Sequence, residues 1–168
     1  TLDSKLKTAK FVQYDGFDEN IKLPEKIDNY TIVEIGTQAF YYVETYSGVS
    51  VKTIQLPDTS EKIDNFSFYG LSLIESITIP KNVNYIGKGS FSNCPKLKEL
   101  KIASDNKIFS VDQSVLYNYD KTKLLTFFFA KGSEYIASNK LTEIEGYAFS
   151  YSKNVTKLVL PNTVKKVG

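Results

Sequence analysis

The chain has 168 residues, 42% of them hydrophobic, which is one domain's length with enough apolar side chain for a real core. Its 21 basic and 19 acidic residues nearly cancel and form no basic cluster, which argues against nucleic acid or an anionic membrane as partner. It contains no histidine, which removes Ser-His-Asp and Cys-His catalysis, histidine metal ligation and a physiological pH switch together.

From the N-terminus, residues 1–10 carry little pattern and read as a linker or a frayed end. Phe11-Val12-Gln13-Tyr14 predicts a strand, Asp15-Gly16 a turn, and Asn20 to Leu23 a second strand closed by Pro24. Together, residues 11–31 are expected to form a hairpin cap over the open end of a stacked core.

A repeat then begins. Its first copy has Ile35 and Phe40, five extra residues, then Val51, Ile54 and Leu56-Pro57. The second has Ile63, Phe68, Ile74, Ile77 and Ile79-Pro80; the third has Ile86, Phe91, Leu97, Leu100 and Ile102, with Ala103 in the proline slot. The last has Ile144, Phe149, Val155, Leu158 and Leu160-Pro161. Ile and Phe are five residues apart in all four copies, and Phe lies twelve residues before the proline slot in three of them. Repeats thus occupy residues 32–105 and 141–168.

Each copy translates into structure. Its ending, as in Glu75-Ser76-Ile77-Thr78-Ile79, alternates apolar and polar residues and predicts a short strand with one buried face. The following proline lacks a backbone donor and ends the pairing. The middle is too short for a standard helix and predicts one helical or 3₁₀ turn that drops the Phe into the core. The expected fold is strand-rich α/β: a solenoid with a parallel sheet on one face and irregular backbone on the other. A period near 23 residues lies in the leucine-rich repeat range.

Between residues 106 and 140 the order breaks. Val111 to Tyr117, a turn at Asn118 to Lys121, and Lys123 to Phe129 predict a hairpin insert, with Leu125 and Phe127 in the inward strand slots and Phe128 facing away. At the C-terminus, Val164 and Val167 fill the first slots of a further copy. With no methionine and no leader, both ends read as cut, so the chain is expected to be a piece of a longer protein.

Ile35-Gly-x-x-Ala-Phe40, with its variants Ile86-Gly-Lys-Gly-Ser-Phe91 and Ile144-Glu-Gly-Tyr-Ala-Phe149, resembles the BspA-like leucine-rich repeats. The Leu-Pro endings, Cys94 after Phe91, the insert and the lead-in around Tyr14, Gly16 and Tyr30 match as well, so the resemblance covers roughly Phe11 to Gly168. It implies a bacterial cell-surface or secreted protein. Members are implicated in adhesion to host matrix proteins and in coaggregation, and similar repeats occur in some parasitic protists.

Candidate chemistry is sparse. Cys94, in core register three residues after Phe91, reads as structural. The acidic pairs Asp58/Glu61, Asp18/Glu19 and Glu143/Glu145 fall in turns and solvent-facing slots, where a solvated charge is the ordinary role. Asp105, Asn106, Asp112 and Asp120 lack calcium-loop spacing. No enzyme, cofactor or metal is expected.

What remains is surface. The outward strand positions expected to form one continuous face are Lys22, Thr53, Gln55, Ser76, Thr78, Glu99, Lys101, Thr126, Phe128, Lys157 and Val159. They are mixed, polar and small, which suits a protein or glycan partner better than an apolar ligand. The insertion around Tyr41, Tyr42, Tyr46 and Gly48 has the composition of an adaptable recognition loop, against which stands the plainer role of padding the solenoid edge. The expected function is a non-catalytic binding module, monomeric or associating end to end. A structural spacer without a ligand of its own is the alternative.

Overall fold

The computed structural model describes residues 1–41, 43–44, 48–128, 134–153 and 155–168. Its first strands in chain order are β1 (Leu2–Asp3), β2 (Thr8–Phe11), β3 (Asn20–Lys22), β4 (Lys26–Ile27), β5 (Tyr30–Ile35), β6 (Thr53–Gln55), β7 (Lys62–Ile63), β8 (Ser76–Ile79), β9 (Tyr85–Ile86) and β10 (Glu99–Ile102). There follow β11 (Phe109–Asp112), β12 (Val115–Asn118), β13 (Lys123–Phe127), β14 (Glu134–Ile136), β15 (Glu143–Ile144), β16 (Lys157–Val159) and β17 (Lys166–Val167).

The apolar-polar-apolar endings of the repeats form the predicted parallel sheet, in the order β10-β8-β6-β3. Alternation sends Ile77 and Ile79 into the core and Thr78 outward. The face opposite is not wholly irregular. The Ile35, Ile63 and Ile86 segments pair in parallel as β5-β7-β9, and β13-β15-β17 forms the corresponding run near the C-terminus. The structure is therefore a solenoid with parallel sheets on two sides.

Between the sheets each copy turns and inserts its phenylalanine. Phe11, Phe40, Phe68 and Phe91 stack as a spine, with ring centroids 5.6, 5.3 and 5.4 Å apart. A second stack joins Phe127 to Phe149 at 5.5 Å. Backbone bonds tie the turns together: Phe40 N–H donates to the Ser67 carbonyl and Phe68 N–H to that of Ser90, each at 3.0 Å. The residue before each phenylalanine is small because neighbouring turns touch there. Ser67 and Ser90 are buried, and both donate to the Asp64 carbonyl, at 2.7 and 2.8 Å. Cys94, in the same layer, donates its thiol to the Phe68 carbonyl at 3.1 Å, and burial pushes its pKa up to about 12. A thiol so held is a packing group.

Three sequence expectations are corrected. Residues 1–10 are not a loose end: Thr8–Phe11 pairs in parallel with β5, and Ala9 is buried. Antiparallel hairpins stand near the N-terminus, but they are β1–β2 and β4–β5. The two strands expected to form the cap, at Phe11 and at Asn20 to Lys22, belong to different sheets. In the insert the expected β12–β13 hairpin is present, and a further turn at Gln113-Ser114 adds β11 to make a three-stranded meander. The strand β13 then joins β15 rather than the β10 side, and the vacated strand slot is filled by β14, with Tyr135 and Ala137 buried.

An ion network links β2, β5 and β7. Lys10 Nζ lies 2.6 Å from Glu34 and 2.5 Å from Asp64, and Lys62 Nζ lies 2.8 Å from Asp64. Burial alone raises the Asp64 pKa, but hydrogen bonding from Lys10 and Lys62 outweighs it and holds the carboxyl at about 2. A carboxylate whose folded pKa lies below its unfolded one contributes stability above the unfolded pKa and loses it as pH falls through the folded value. The melting temperature is expected to be level in this respect above about pH 5 and to decline between about pH 4 and 2. Asp64→Asn should flatten that decline in a thermal scan against pH. An unchanged slope would remove this network from the stability account.

Candidate binding surface

The four-stranded sheet presents its outward positions in two columns. In register, Asn20, Thr53, Ser76 and Glu99 form one, and Lys22, Gln55, Thr78 and Lys101 the other. All are exposed except Ser76, which is half-buried. Neighbours within the face engage one another lightly: Thr53 Oγ1 donates to Asn20 Oδ1 at 2.9 Å, and Lys101 Nζ lies 3.2 Å from Glu99. At one margin Lys98 Nζ lies 3.5 Å from Glu75. Exposed pairs of this kind contribute little stability, so the columns are largely free of a structural duty. Both signs of charge alternate with small hydroxyl and amide groups, the composition of a polar protein contact.

The expected continuous face is shorter than the sequence suggested. Lys157 and Val159 are exposed, but they lie on β16, which pairs with β14 in a separate two-stranded sheet where Glu134 and Lys157 form an ion pair at 2.6 Å. Thr126 is buried at 4% exposure, and Phe128 is partly buried against the larger core cluster, so neither belongs to an outward face. The cause is the exchange of strand slots in the insert, which carries Leu124 to Phe127 into the other sheet.

Of the loop tyrosines, Tyr42 and Tyr46 lie outside the described residues. Tyr41 is half-buried against the Tyr69 ring, centroids 5.6 Å apart. The insertion is held by a residue that sequence reading passed over: the Glu44 carboxylate accepts from Val51 N–H at 3.1 Å and Ser72 N–H at 2.8 Å. Tyr41 also belongs to a larger aromatic group. Tyr69 meets Phe66 at 6.0 Å and Tyr151 at 5.9 Å, and Phe66 meets Tyr147 at 4.9 Å. The Tyr69 and Tyr151 hydroxyls are 2.7 Å apart, and that hydrogen bond, with some burial, pushes the Tyr69 phenol up to about 12.

Among the described residues no three His, Cys, Asp or Glu side chains could hold a metal ion, and no helix is long and apolar enough to cross a membrane.

The sequence matches the model of the BspA type leucine-rich repeat region in six copies over residues 34–168. Two solved structures share the fold. One is a leucine-rich repeat protein from Eubacterium ventriosum, with 19% identity and a TM-score of 0.63 over 89% of this chain and 55% of that one. The other is a leucine-rich cell surface protein from Faecalibacterium prausnitzii, with 21% identity and a TM-score of 0.63 over 88% of this chain and 40% of that one. This chain thus spans about half or less of the length of the structures it resembles. No curated protein matches the sequence.

Proposed function

Since the chain belongs to the BspA-type leucine-rich repeat family, we propose that it is a non-catalytic binding module of a bacterial surface or secreted protein, serving adhesion through a protein partner. The reading rests on one observation above the rest. Four consecutive parallel strands hold two columns of largely exposed, mixed-charge side chains on a hydrogen-bonded sheet, and the core makes no use of them. Such a face meets a partner with its backbone already placed, so the ordering cost falls on its side chains alone. The polar and charged content fits a rim-like, hydrogen-bonding interface.

The test is a binding screen of the chain against immobilised extracellular-matrix proteins, repeated at high salt. A saturable hit is expected. The triple variant Gln55→Ala, Thr78→Ala, Lys101→Ala should weaken it by about tenfold or more. Its melting temperature should stay within about 2 °C of the parent, since outward positions contribute little to the core. Equal affinity in the triple variant would remove the strand face as the site. A folded chain with no hit at all would favour the spacer.

A further inference from the structure

We propose a second binding site, for a neutral glycan chain, in the aromatic cleft on the turn side of the solenoid. It is formed where Tyr147 and Tyr151 of the last repeat reach over the third repeat to Phe66 and Tyr69 of the second. This site is independent of the strand face and does not rest on it.

Its first support is backbone conformation. Three residues after the repeat isoleucine, every copy has a left-handed backbone: Gln38 at φ 56°, Phe66 at 56°, Gly89 at 66° and Tyr147 at 65°. Two residues after the phenylalanine the same holds for Gly70 at 82°, Asn93 at 58° and Tyr151 at 62°. Glycine and asparagine are the ordinary occupants of this conformation, and large aromatic side chains are strained in it. Here Phe66, Tyr147 and Tyr151 occupy it, and all three rings meet in one place. Gly89 makes room for the Phe66 ring, which a Cβ there would strike. Strained aromatic residues gathered at one spot are a recognised mark of a working surface.

The second support is the cavity itself. Gln38, Tyr41, Phe66, Tyr69, Tyr147 and Tyr151, with Ser150, line an open depression of about 320 Å³. Tyr147 and Tyr151 remain about half exposed, at 52% and 53%. A second cavity of about 320 Å³ adjoins it through Ser150 and Tyr151, at the break in the phenylalanine spine between Phe91 and Phe127. On its wall, Ser152 has a hydroxyl shut from solvent with no hydrogen-bond partner.

The lining selects the class of ligand. The aromatic cavity carries no charged side chain, and its phenol at Tyr69 stays protonated at physiological pH. Ring faces and edges beside phenol, amide and alcohol groups match a molecule that is apolar on its faces and hydroxylated at its rim, which describes a neutral sugar. Lys88, with Nζ 5.8 Å from the Tyr147 centroid, holds that ring by cation–π attraction.

The experiment titrates the whole chain with cellohexaose, laminarihexaose, maltohexaose and chitohexaose, with a heparin hexasaccharide as the acidic control. Binding is read by calorimetry and by tyrosine fluorescence, which no tryptophan obscures. At least one neutral hexasaccharide should bind saturably and the heparin fragment should not. Tyr147→Gly is the informative variant, because glycine fits this backbone, so the fold should survive loss of the ring. It should weaken the saccharide roughly tenfold while the melting temperature holds, and Thr78→Ala on the strand face should leave saccharide binding unchanged. The proposal is overturned if no neutral hexasaccharide binds the folded parent. It is equally overturned if Tyr147→Gly binds as the parent does, or if the variant loses binding only together with its fold, melting well below the parent. That last outcome would make the cluster a clamp between repeats.

Discussion

Replacing Phe68 by alanine is expected to cost roughly 3–5 kcal/mol of unfolding free energy. The ring is fully buried and sits between Phe40 at 5.3 Å and Phe91 at 5.4 Å, so its removal opens a void inside the spine and takes contacts from two neighbouring repeats at once. Repeats in a solenoid bury their faces only against neighbours, and the backbone bonds from Phe40 to Ser67 and from Phe68 to Ser90 tie the turns on either side of the gap in place. Chemical denaturation of the variant measures it. A cost under about 1 kcal/mol would mean that the spine does not hold the repeats together.

Asn106→Ala should cost roughly 3 kcal/mol or more, from hydrogen bonding rather than packing. Asn106 is buried at 4% exposure where the third repeat ends and the insert begins. Its amide donates to the carbonyls of Pro80 at 3.0 Å and Val83 at 2.8 Å, and its oxygen accepts from Ile108 N–H at 2.9 Å and Phe109 N–H at 3.3 Å. Alanine leaves four backbone groups without this partner. Asn106→Asp is the sharper control: it keeps the shape and the acceptor, but points negative charge at two carbonyls, and should be at least as damaging at neutral pH. Denaturation curves of both variants within about 1 kcal/mol of the parent would show that the junction is held by other contacts.

The parts of this fold legible from sequence are those with a repeating apolar beat. Ile63, Phe68, Ile74, Ile77 and Ile79 all go inside, as do most of their equivalents, because the solenoid imposes one inward direction per slot. The second sheet was missed because strands such as Tyr85–Ile86 are two residues long, too short to show alternation. The insert was misread for a related reason. Leu124 to Phe127 are all buried, so hydrophobicity there favours no register, whereas the strand slot fell to Glu134-Tyr135-Ile136, which lacks the apolar-polar-apolar-proline form. Asn106 was weighed only as a calcium ligand, since a side chain that bonds four backbone groups has no mark in sequence beyond its type.

The strand face was legible where strand order follows repeat order, at Thr53, Gln55, Thr78, Glu99 and Lys101, and was lost at Thr126 and Phe128, where the insert changes sheets. The aromatic cleft could not be seen along the chain because it joins copies that are not sequence neighbours. One signal for it was present. At the slot where the third copy has Gly89, the second and last copies have Phe66 and Tyr147, an exchange that local backbone preference alone does not favour.

Docking of a protein partner on the four-strand face is open to direct measurement. Lysine acetylation of the chain, free and saturated with the matrix protein selected by the binding screen, maps contact without choosing a site beforehand. Lys22 and Lys101 stand on the face, whereas Lys26, Lys140 and Lys165 are exposed elsewhere. The account predicts protection of Lys22 and Lys101 on binding, with the other three modified as in the free chain. Protection confined to Lys26, Lys140 or Lys165 would contradict it.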